Sequence, residues 1–255
     1  MIKVAGIPGK RSSLLWTLAG IAFLLLLWEI AARVYGSGLL LPGPIPVIKR
    51  LLALFNSRRF LFALTGSFVR VIAGIAIAVP LGIAVGIAAG LDKRVKFFVK
   101  PLFSVISATP VMSVILIAFL FLGAGKTPVF TAFLMIFPIM AANTIEGIVS
   151  TDTRLKELFA VFRMSFKDTL KYLYIPSLVP FILGGLKSSL SMCWKVVVAA
   201  EVLVQPMLSL GTGMQQAKAQ LETTELFAWT AATVIAAALC QSLLSLSLKK
   251  WGKHK

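Results

Sequence analysis

Long stretches without a charged residue are the feature that most constrains the fold of this chain. Residues 71–91, for example, are uncharged throughout, and a helix that spans a bilayer needs about 20 mostly apolar residues. A helix that is apolar on every side is buried in protein or in lipid. With 58% apolar residues and a mean hydropathy of +0.93, the sequence predicts a membrane protein.

Six such stretches predict an all-α integral membrane protein with about six transmembrane helices. The predicted spans are residues 12–35, 71–91, 101–125, 127–145, 177–204 and 227–248. A short turn at residues 123–126 separates the third span from the fourth, because its two glycines favour a break. The 255 residues leave no room for a sizeable second domain, so residues 1–255 are expected to form a single transmembrane domain with its core at 60–250.

Lys and Arg lie mainly on one side of these spans. With the N-terminus placed inside, sixteen lie on the inside and six on the outside, which predicts that both termini are cytoplasmic. This asymmetry accounts for most of the net charge of +17, so nucleic-acid binding is not expected. In the first external loop, apolar residues at 51–55 predict an amphipathic helix that lies either on the membrane surface or in solvent.

The few reactive side chains exclude most enzymatic chemistry. His254 is the only histidine, and the two cysteines, Cys193 and Cys240, lie in apolar runs. Metal clusters and Cys/His catalysis both need several such groups together. We therefore predict no metal ligand and no Cys/His catalysis.

Residues 147–176, between the fourth and fifth predicted spans, form a basic loop that is too long for a simple helix hairpin. Thr151 offers an N-cap, and apolar residues recur after it at helical spacing, which predicts a short amphipathic helix. These residues are Leu155, Leu158, Phe159 and Phe162. A second short helix is expected to begin near Ser165 and to end before Pro176. The amphipathic helix either docks onto a partner protein or lies on the lipid headgroups.

The fifth predicted span is unusual because it contains Lys187, Lys195 and Glu201, and charges inside a membrane seldom face lipid. Lys187, Trp194 and Glu201 fall on one stripe of a helix, which also takes in Ser191. Lys187 is expected about 15 Å into the membrane, close to its midplane. We interpret this stripe as lining a translocation path, with Lys187 favouring an anionic substrate. The alternative is that the charges pair across helices or reach the membrane surface, and that Trp194 only packs.

Short motifs occur in order along the chain and resemble those of one family. They are Leu-Pro-Gly-Pro at 41–44, Ser-Phe-Val-Arg at 67–70, Ala-Thr-Pro at 108–110, Phe-Leu-Gly-Ala-Gly at 121–125, Ala-Ala-Glu at 199–201 and Leu-Gly-Thr-Gly at 210–213. Counting back from Pro176 places Glu157 at the glutamate of that family's cytoplasmic Glu-Ala-Ala motif. Leu158 and Phe159 stand at the alanine positions and Arg163 at the usual glycine, where a positive φ costs arginine more. From about residue 41 to 251, the sequence thus resembles the permease subunits of bacterial ABC importers, in the branch for nitrate, sulfonate, taurine and some vitamin precursors.

This resemblance implies a permease subunit of the bacterial cytoplasmic membrane that forms a translocation pore and has no catalysis of its own. It implies cytoplasmic ATP-binding subunits that hold ATP and Mg²⁺, an external solute-binding protein, and a second permease copy in a homodimer. The residues that it assigns to coupling with the ATPase are Glu157, Leu158, Phe159, Phe162, Arg163 and Pro176. The expected cargo is a small anion similar to nitrate, a sulfonate or taurine, and the alternative is a precursor of thiamine or riboflavin.

Two other classes of membrane protein fit the sequence less well. A secondary transporter predicts internal repeats and acidic residues at the midplane, whereas no predicted span carries Asp or Glu there. A membrane enzyme or assembly factor would need a polar catalytic cluster at one membrane face, and the sequence offers none.

Overall fold

The computed structural model describes residues 10–36 and 40–252, and these residues form helices without any strand. Lys3, Lys253 and Lys255, three of the sixteen basic residues predicted on the inside, lie outside the described residues, as does His254. The helices are α1 (Lys10–Tyr35), α2 (Pro44–Phe55), α3 (Arg58–Leu91), α4 (Lys93–Ala108), α5 (Val111–Val149), α6 (Thr153–Val161), α7 (Phe166–Thr169), α8 (Ile175–Val204), α9 (Leu210–Ala219) and α10 (Thr223–Gly252). A π-helical turn, Leu170–Tyr174, joins α7 to α8.

Five helical segments of the described chain are long and apolar enough to cross a membrane. They are Leu15–Tyr35, Arg58–Leu91, Val111–Val149, Phe166–Val204 and Thr223–Leu248. The predicted all-α membrane class is therefore confirmed. The count differs from the six predicted spans, and the difference arises in the third and fourth spans.

The prediction of one continuous helix over residues 101–125 is wrong. Helix α4 ends at Ala108, Thr109 and Pro110 are extended with ψ of 127° and 130°, and α5 begins at Val111. The physical reason is Pro110, which disfavours the helical conformation of the residue before it. The fourth predicted span, 127–145, lies inside the longer helix α5.

Helix α5 is folded back on itself at Gly123, within the predicted turn at 123–126. Gly123 has φ of 69° and ψ of 174°, which glycine adopts without the clash that a Cβ would cause. Val111 and Leu134 pack in the same apolar cluster, although a straight helix would hold them about 35 Å apart. The segment before Gly123 therefore runs back along the segment after it.

A ridge of small residues brings α3 against the second half of α5. Its members recur at every fourth position and are Gly74, Ala78, Gly82, Gly86 and Gly90. A Cβ built on Gly86 would lie 2.5 Å from the Cβ of Thr144, so a larger residue would push the helices apart. Close approach of this kind supplies packing energy in lipid, where apolar side chains gain little from leaving the solvent.

Helix α8 packs antiparallel to α5 and completes the centre of the bundle. Gly185 of α8 lies against Asn143 and Met140, and Gly147 of α5 lies against Leu178. Deeper in the bundle, Met140 and Trp194 belong to one buried cluster that also includes residues of α2, α3, α9 and α10. Helices α3, α5 and α8 thus form a close-packed core that fixes the faces of α8.

Helix α2 confirms the predicted amphipathic helix and extends it to Pro44–Phe55. Its Leu51 and Leu54 are buried, whereas Leu52 and Phe55 on the other side are exposed. Arg50 pairs with Glu225 of α10, and this hydrogen bond raises the pKa of the Arg50 guanidinium. The inner face of α2 is therefore held by protein rather than by solvent alone.

Candidate functional site

The exposed face of α8 differs in composition from the other exposed membrane-helix faces. Gly184, Lys187, Ser188 and Lys195 are exposed and Ser191 is half-buried, and all five fall within an arc of about 100° around the helix. Ile175, at the start of α8, is its only exposed large apolar side chain. Beyond that first turn, α8 presents small and cationic groups where a lipid-facing helix presents Leu, Ile or Phe.

Lys187 and Lys195 form no ion pair within the described part of the chain. Both ammonium groups lie in a segment that is long and apolar enough to cross a membrane. A lysine at the centre of a membrane helix costs about 2.5–3.5 kcal/mol or more, so such residues face water, a cavity or another protein. The α8 face is therefore suited to an aqueous path and poorly suited to lipid.

The structure divides the predicted stripe of Lys187, Ser191, Trp194 and Glu201 into an open part and a buried part. Lys187 and Ser191 lie on the open face, whereas Trp194 is 2% exposed and Glu201 is 0% exposed. The assignment of Glu201 to an open path does not agree with this burial. The reason is tertiary: α3 and α9 cover Glu201, whereas Lys187 on the middle of α8 stays exposed.

Glu201 is the centre of a buried polar network. Ser67 Oγ donates to Glu201 Oε2 at 2.7 Å, and Arg70 Nη1 donates to Oε1 at 3.0 Å. From α9, the backbone N–H of Gly211 donates to Oε2 at 3.3 Å, and that of Leu210 donates to Ser67 Oγ at 3.0 Å. One carboxylate therefore joins α3, α8 and the start of α9, and its charge is both paired and hydrogen-bonded as a buried charge requires.

The loop between α8 and α9 is strained and is tied down by the same network. Gln205 and Leu208 have φ of 46° and 51°, a region that costs a residue other than glycine about 1–2 kcal/mol. Arg70 Nη2 donates to the carbonyl of Met207 at 3.2 Å. A Cβ on Gly66 would lie 2.4 Å from the carbonyl oxygen of Leu208, so only glycine permits this approach. Arg70 thus supports the loop as well as Glu201.

Ser67 and Arg70 belong to the Ser-Phe-Val-Arg motif at 67–70, but no role was predicted for either residue. A serine and an arginine one helical turn apart in an otherwise apolar segment, together with one glutamate in a later span, were the available signal. Periodicity cannot show which of the other helices supplies the partner. Only the tertiary structure shows that Ser67 and Arg70 contact Glu201.

The long loop at 147–176 contains the predicted amphipathic helix as α6, Thr153–Val161. Asp152 caps it by accepting from the N–H of Arg154 at 2.8 Å, so the cap lies one residue after the predicted Thr151. None of the residues of α6 is buried, and Glu157 is exposed. Leu158 is 48% exposed, Phe162 is 69% exposed, and Phe159 is half-buried. This end of the molecule therefore presents an uncovered apolar surface beside a carboxylate.

Arg163 adopts the left-handed conformation that the sequence comparison associated with glycine, with φ of 49°. Its N–H donates to the carbonyl of Ala160 at 3.0 Å, and that of Met164 donates to the carbonyl of Phe159 at 3.1 Å. This pair of bonds is a Schellman motif, which ends α6 and satisfies its last carbonyls. The turn after α6 therefore has a left-handed residue, although that residue is arginine and not glycine.

The expectation that the second short helix ends before Pro176 is wrong. Ser165 caps α7 as predicted, but the chain then continues through the π-helical turn into α8 without a break. Proline cannot donate to the carbonyl four residues earlier and its ring crowds that carbonyl. The π-helical turn is wider than an α-helical turn, and in it the N–H of Ile175 donates to the carbonyl of Leu170. This geometry lets the helix continue past Pro176.

Within residues 10–36 and 40–252, no three His, Cys, Asp or Glu side chains are close enough to hold a metal ion. The described site is built from hydrogen bonds and charged groups.

Residues 78–252 match the family model described as the binding-protein-dependent transport system inner membrane component. The chain belongs to this family. Its members are permease subunits of ABC transporters, so the chain is a membrane transport subunit and not an enzyme. The family also implies a solute-binding protein and an ATPase as partners.

Three relatives illustrate the range of the family. The chain is 29% identical to a probable ABC transporter permease of Brucella melitensis, over 73% of this chain and 76% of the relative. It is 32% identical to a formylaminopyrimidine transport permease of Halalkalibacterium halodurans, over 64% of this chain and 66% of the relative. It is 28% identical to a taurine transport system permease of Escherichia coli, over 84% of this chain and 80% of the relative.

Proposed function

We propose that this chain is a single-domain, pore-forming permease subunit of an ATP-driven importer and that its solute path runs along the exposed polar face of α8. The proposal rests on the exposed arc of α8, which contains Lys187, Ser188 and Lys195. Neither lysine has an ion-pair partner in the described chain. The cost of placing such charges in lipid argues for a watered path.

A single protomer leaves this face of α8 open on one side. A path closed to lipid needs a second wall, and a second copy of the same chain would supply one by two-fold symmetry. We therefore propose a homodimer in the bacterial cytoplasmic membrane, with both termini on the cytoplasmic side as the Lys and Arg distribution predicts.

The proposed cargo is a small anion, because the open part of the path carries two lysines and no carboxylate. A sulfonate-like solute agrees with the relative named for taurine transport. The alternative cargo is a vitamin precursor, which the relative named for formylaminopyrimidine transport favours. Both alternatives use the same importer architecture.

The proposed docking site for the ATPase is the surface formed by α6 and the turn after it. Leu158 and Phe162 are exposed there beside Glu157, and an apolar surface with a fixed charge suits a groove on a partner protein. ATP and Mg²⁺ would be bound by that partner, and movement of the docked α6 would pass through the π-helical turn into α8. Phe159 is half-buried at this connection, whereas Arg163, in the turn after α6, and Pro176, at the start of α8, are exposed.

Uptake of labelled solute by cells that carry the complete transporter tests the path. Lys187→Gln should lower uptake about tenfold or more, because it removes a charged group from the path. Lys126→Gln, which changes an exposed lysine outside α8, is the matched control. Equal uptake by the wild type and the Lys187→Gln variant would show that Lys187 is not part of the path.

Co-purification with the ATPase encoded beside this chain tests the docking surface. The wild type should capture the ATPase in mild detergent, and Glu157→Arg should lose most of it. Glu222→Arg is the matched control, because Glu222 is exposed just before α10, at the end of the bundle away from α6. Capture that Glu157→Arg leaves unchanged would remove Glu157 from the docking surface. A wild type that captures no ATPase would contradict the proposed function.

A further inference from the structure

We propose that the cavity between α8, α9 and α10 is a solute-binding site for a small organic anion with a short apolar body. This inference rests on the proposed path along α8 and adds a position and a chemical class for the bound solute. The cavity measures about 540 Å³, which lies in the range of small-molecule sites. Its polar groups come from two helices that are far apart in sequence.

Hydrogen-bond donors from two helices line this cavity. The Lys195 ammonium and the Ser191 hydroxyl lie on α8 and the Gln241 amide on α10, while the hydroxyls of Thr230 and Thr233 donate to backbone carbonyls of α10 itself. Lys195 forms no ion pair within the described chain, so its charge is available to a ligand. A sulfonate or carboxylate supplies two or three acceptor oxygens and the opposite charge, and charge-assisted hydrogen bonds are the strong ones.

Apart from these groups, the cavity wall is mostly apolar. Trp194 forms one side, with Val198 beside it on α8 and Val234 and Ala237 opposite on α10. A bare inorganic anion would leave this apolar surface against water, whereas a chain of a few methylene groups would cover it. The combination of one lysine with apolar walls therefore favours an organic anion over an inorganic one.

The position of the cavity relates it to the buried network around Glu201. Met214 of α9 lines the cavity, and the first turn of α9 is held by the bonds from Leu210 and Gly211 to Ser67 and Glu201. Lys195 lies about 13 Å from the end of α8 along the helix. The cavity therefore shares α9 with the network that holds Glu201.

Lys126 provides a matched control for Lys195. Both are exposed lysines, but Lys195 lines the cavity and Lys126, on α5, does not. Replacing either with methionine keeps an unbranched side chain and removes its charge. Any difference between the two variants therefore reports the cavity rather than the net charge of the chain.

The experiment is equilibrium dialysis of labelled butane-1-sulfonate against the permease–ATPase complex in lipid nanodiscs. Butyltrimethylammonium and butan-1-ol are the cationic and neutral comparison probes. Wild type and Lys126→Met should bind the sulfonate with similar affinity, Lys195→Met should bind it about tenfold or more weakly, and neither comparison probe should compete. Gln241→Leu should weaken binding in the same direction by less, because it removes a neutral donor.

Three results would overturn the inference: no sulfonate binding by the wild type, unchanged binding by Lys195→Met, or equal binding of the cationic probe. Size-exclusion profiles and ATPase capture separate a folded variant from a misfolded one, and Gln241→Leu tests the cavity without touching a charge. ATP-dependent uptake by the wild type in the absence of sulfonate binding would reject this cavity and leave the importer function standing. Absence of ATP-dependent uptake for every solute tested would instead reject the proposed function itself.

Discussion

Helices α1 and α8 both contain a segment long and apolar enough to cross a membrane, yet their exposed surfaces are opposite in character. The membrane segment of α1 has no buried residue, and it exposes large apolar side chains such as Trp16, Phe23 and Leu24. The exposed arc of α8 carries Lys187 and Lys195 together with small residues. Overall hydropathy therefore identifies both as membrane helices, and only the exposed face tells which one is suited to lipid.

The glutamates of the two helices differ as well. Glu29 of α1 pairs with Arg33 of the same helix, at 2.7 Å and partly in the open. Glu201 of α8 is fully buried and is held by groups from α3 and α9. The same residue type is thus a local surface pair in one helix and a junction between helices in the other, and substitutions can measure this difference.

The largest effect is expected for Arg70→Met, which would leave Glu201 buried without its cationic partner. Removing one partner of a buried ion pair costs about 3–5 kcal/mol. Thermal unfolding of the purified chain in detergent should show this loss. Arg33→Met, which breaks the exposed pair of α1, is the control and should cost under about 1 kcal/mol. Similar unfolding of the two variants would mean that the Glu201 network adds little to stability.

A smaller loss of stability is expected for Gly185→Leu in α8. A Cβ at this position would already lie 3.1 Å from atoms of Asn143 and Met140, so a leucine would push α8 from α5. Overpacking of this kind costs about 1–3 kcal/mol. Gly20→Leu in α1, where nothing lies within 4 Å, should leave the unfolding temperature unchanged. A destabilised Gly20→Leu variant would reveal a neighbour of α1 that the protomer lacks.

Gly184→Leu should affect transport without affecting stability. Gly184 adjoins Gly185 but faces open space on the polar arc, so a leucine fits the fold and narrows the proposed path. Uptake should fall several-fold. The free energy of unfolding should change by no more than about 0.5 kcal/mol, as for an ordinary surface substitution. Gly20→Leu again serves as the control and should transport normally. Normal uptake by Gly184→Leu would argue that the path lies elsewhere.

The smallest effect is expected for Glu29→Gln in α1. Its i,i+4 pair with Arg33 is worth about 0.3–0.5 kcal/mol, and the arginine side chain is 78% exposed. Unfolding and uptake should both stay close to the wild type. A large loss of uptake with unchanged unfolding would show that α1 takes part in transport and that the contrast between α1 and α8 is too simple.

Much of the architecture could be predicted from the sequence because the bilayer imposes strict rules on composition and length. Charge-free runs located α1, α3 and α10, and the spacing of Leu158 and Phe162 located α6. The turn at Gly123 was also found, because glycine marks sites where the backbone must leave the helix. The continuity at Pro176 was missed, since a π-helical turn leaves no signature in local composition.

The candidate site could be predicted only in part. Helical periodicity correctly placed Lys187 and Ser191 together on one stripe of α8, but it extended the same stripe to Glu201. Helical periodicity shows which residues share a face of α8. It does not show which other helices cover that face. The cover comes from α3 and α9, which are distant in sequence.

The sequence by itself determined that this chain is a helical membrane protein of an ABC permease family, because composition, charge distribution and ordered motifs are properties of the linear chain. The tertiary structure determined whether each charged residue of α8 is buried or exposed. Glu201 is enclosed because Gly66 and Gly211 let the neighbouring backbones approach, whereas Lys195 stays open beside a cavity. Burial depends on what packs against a residue, and those partners are brought together only when the whole bundle forms.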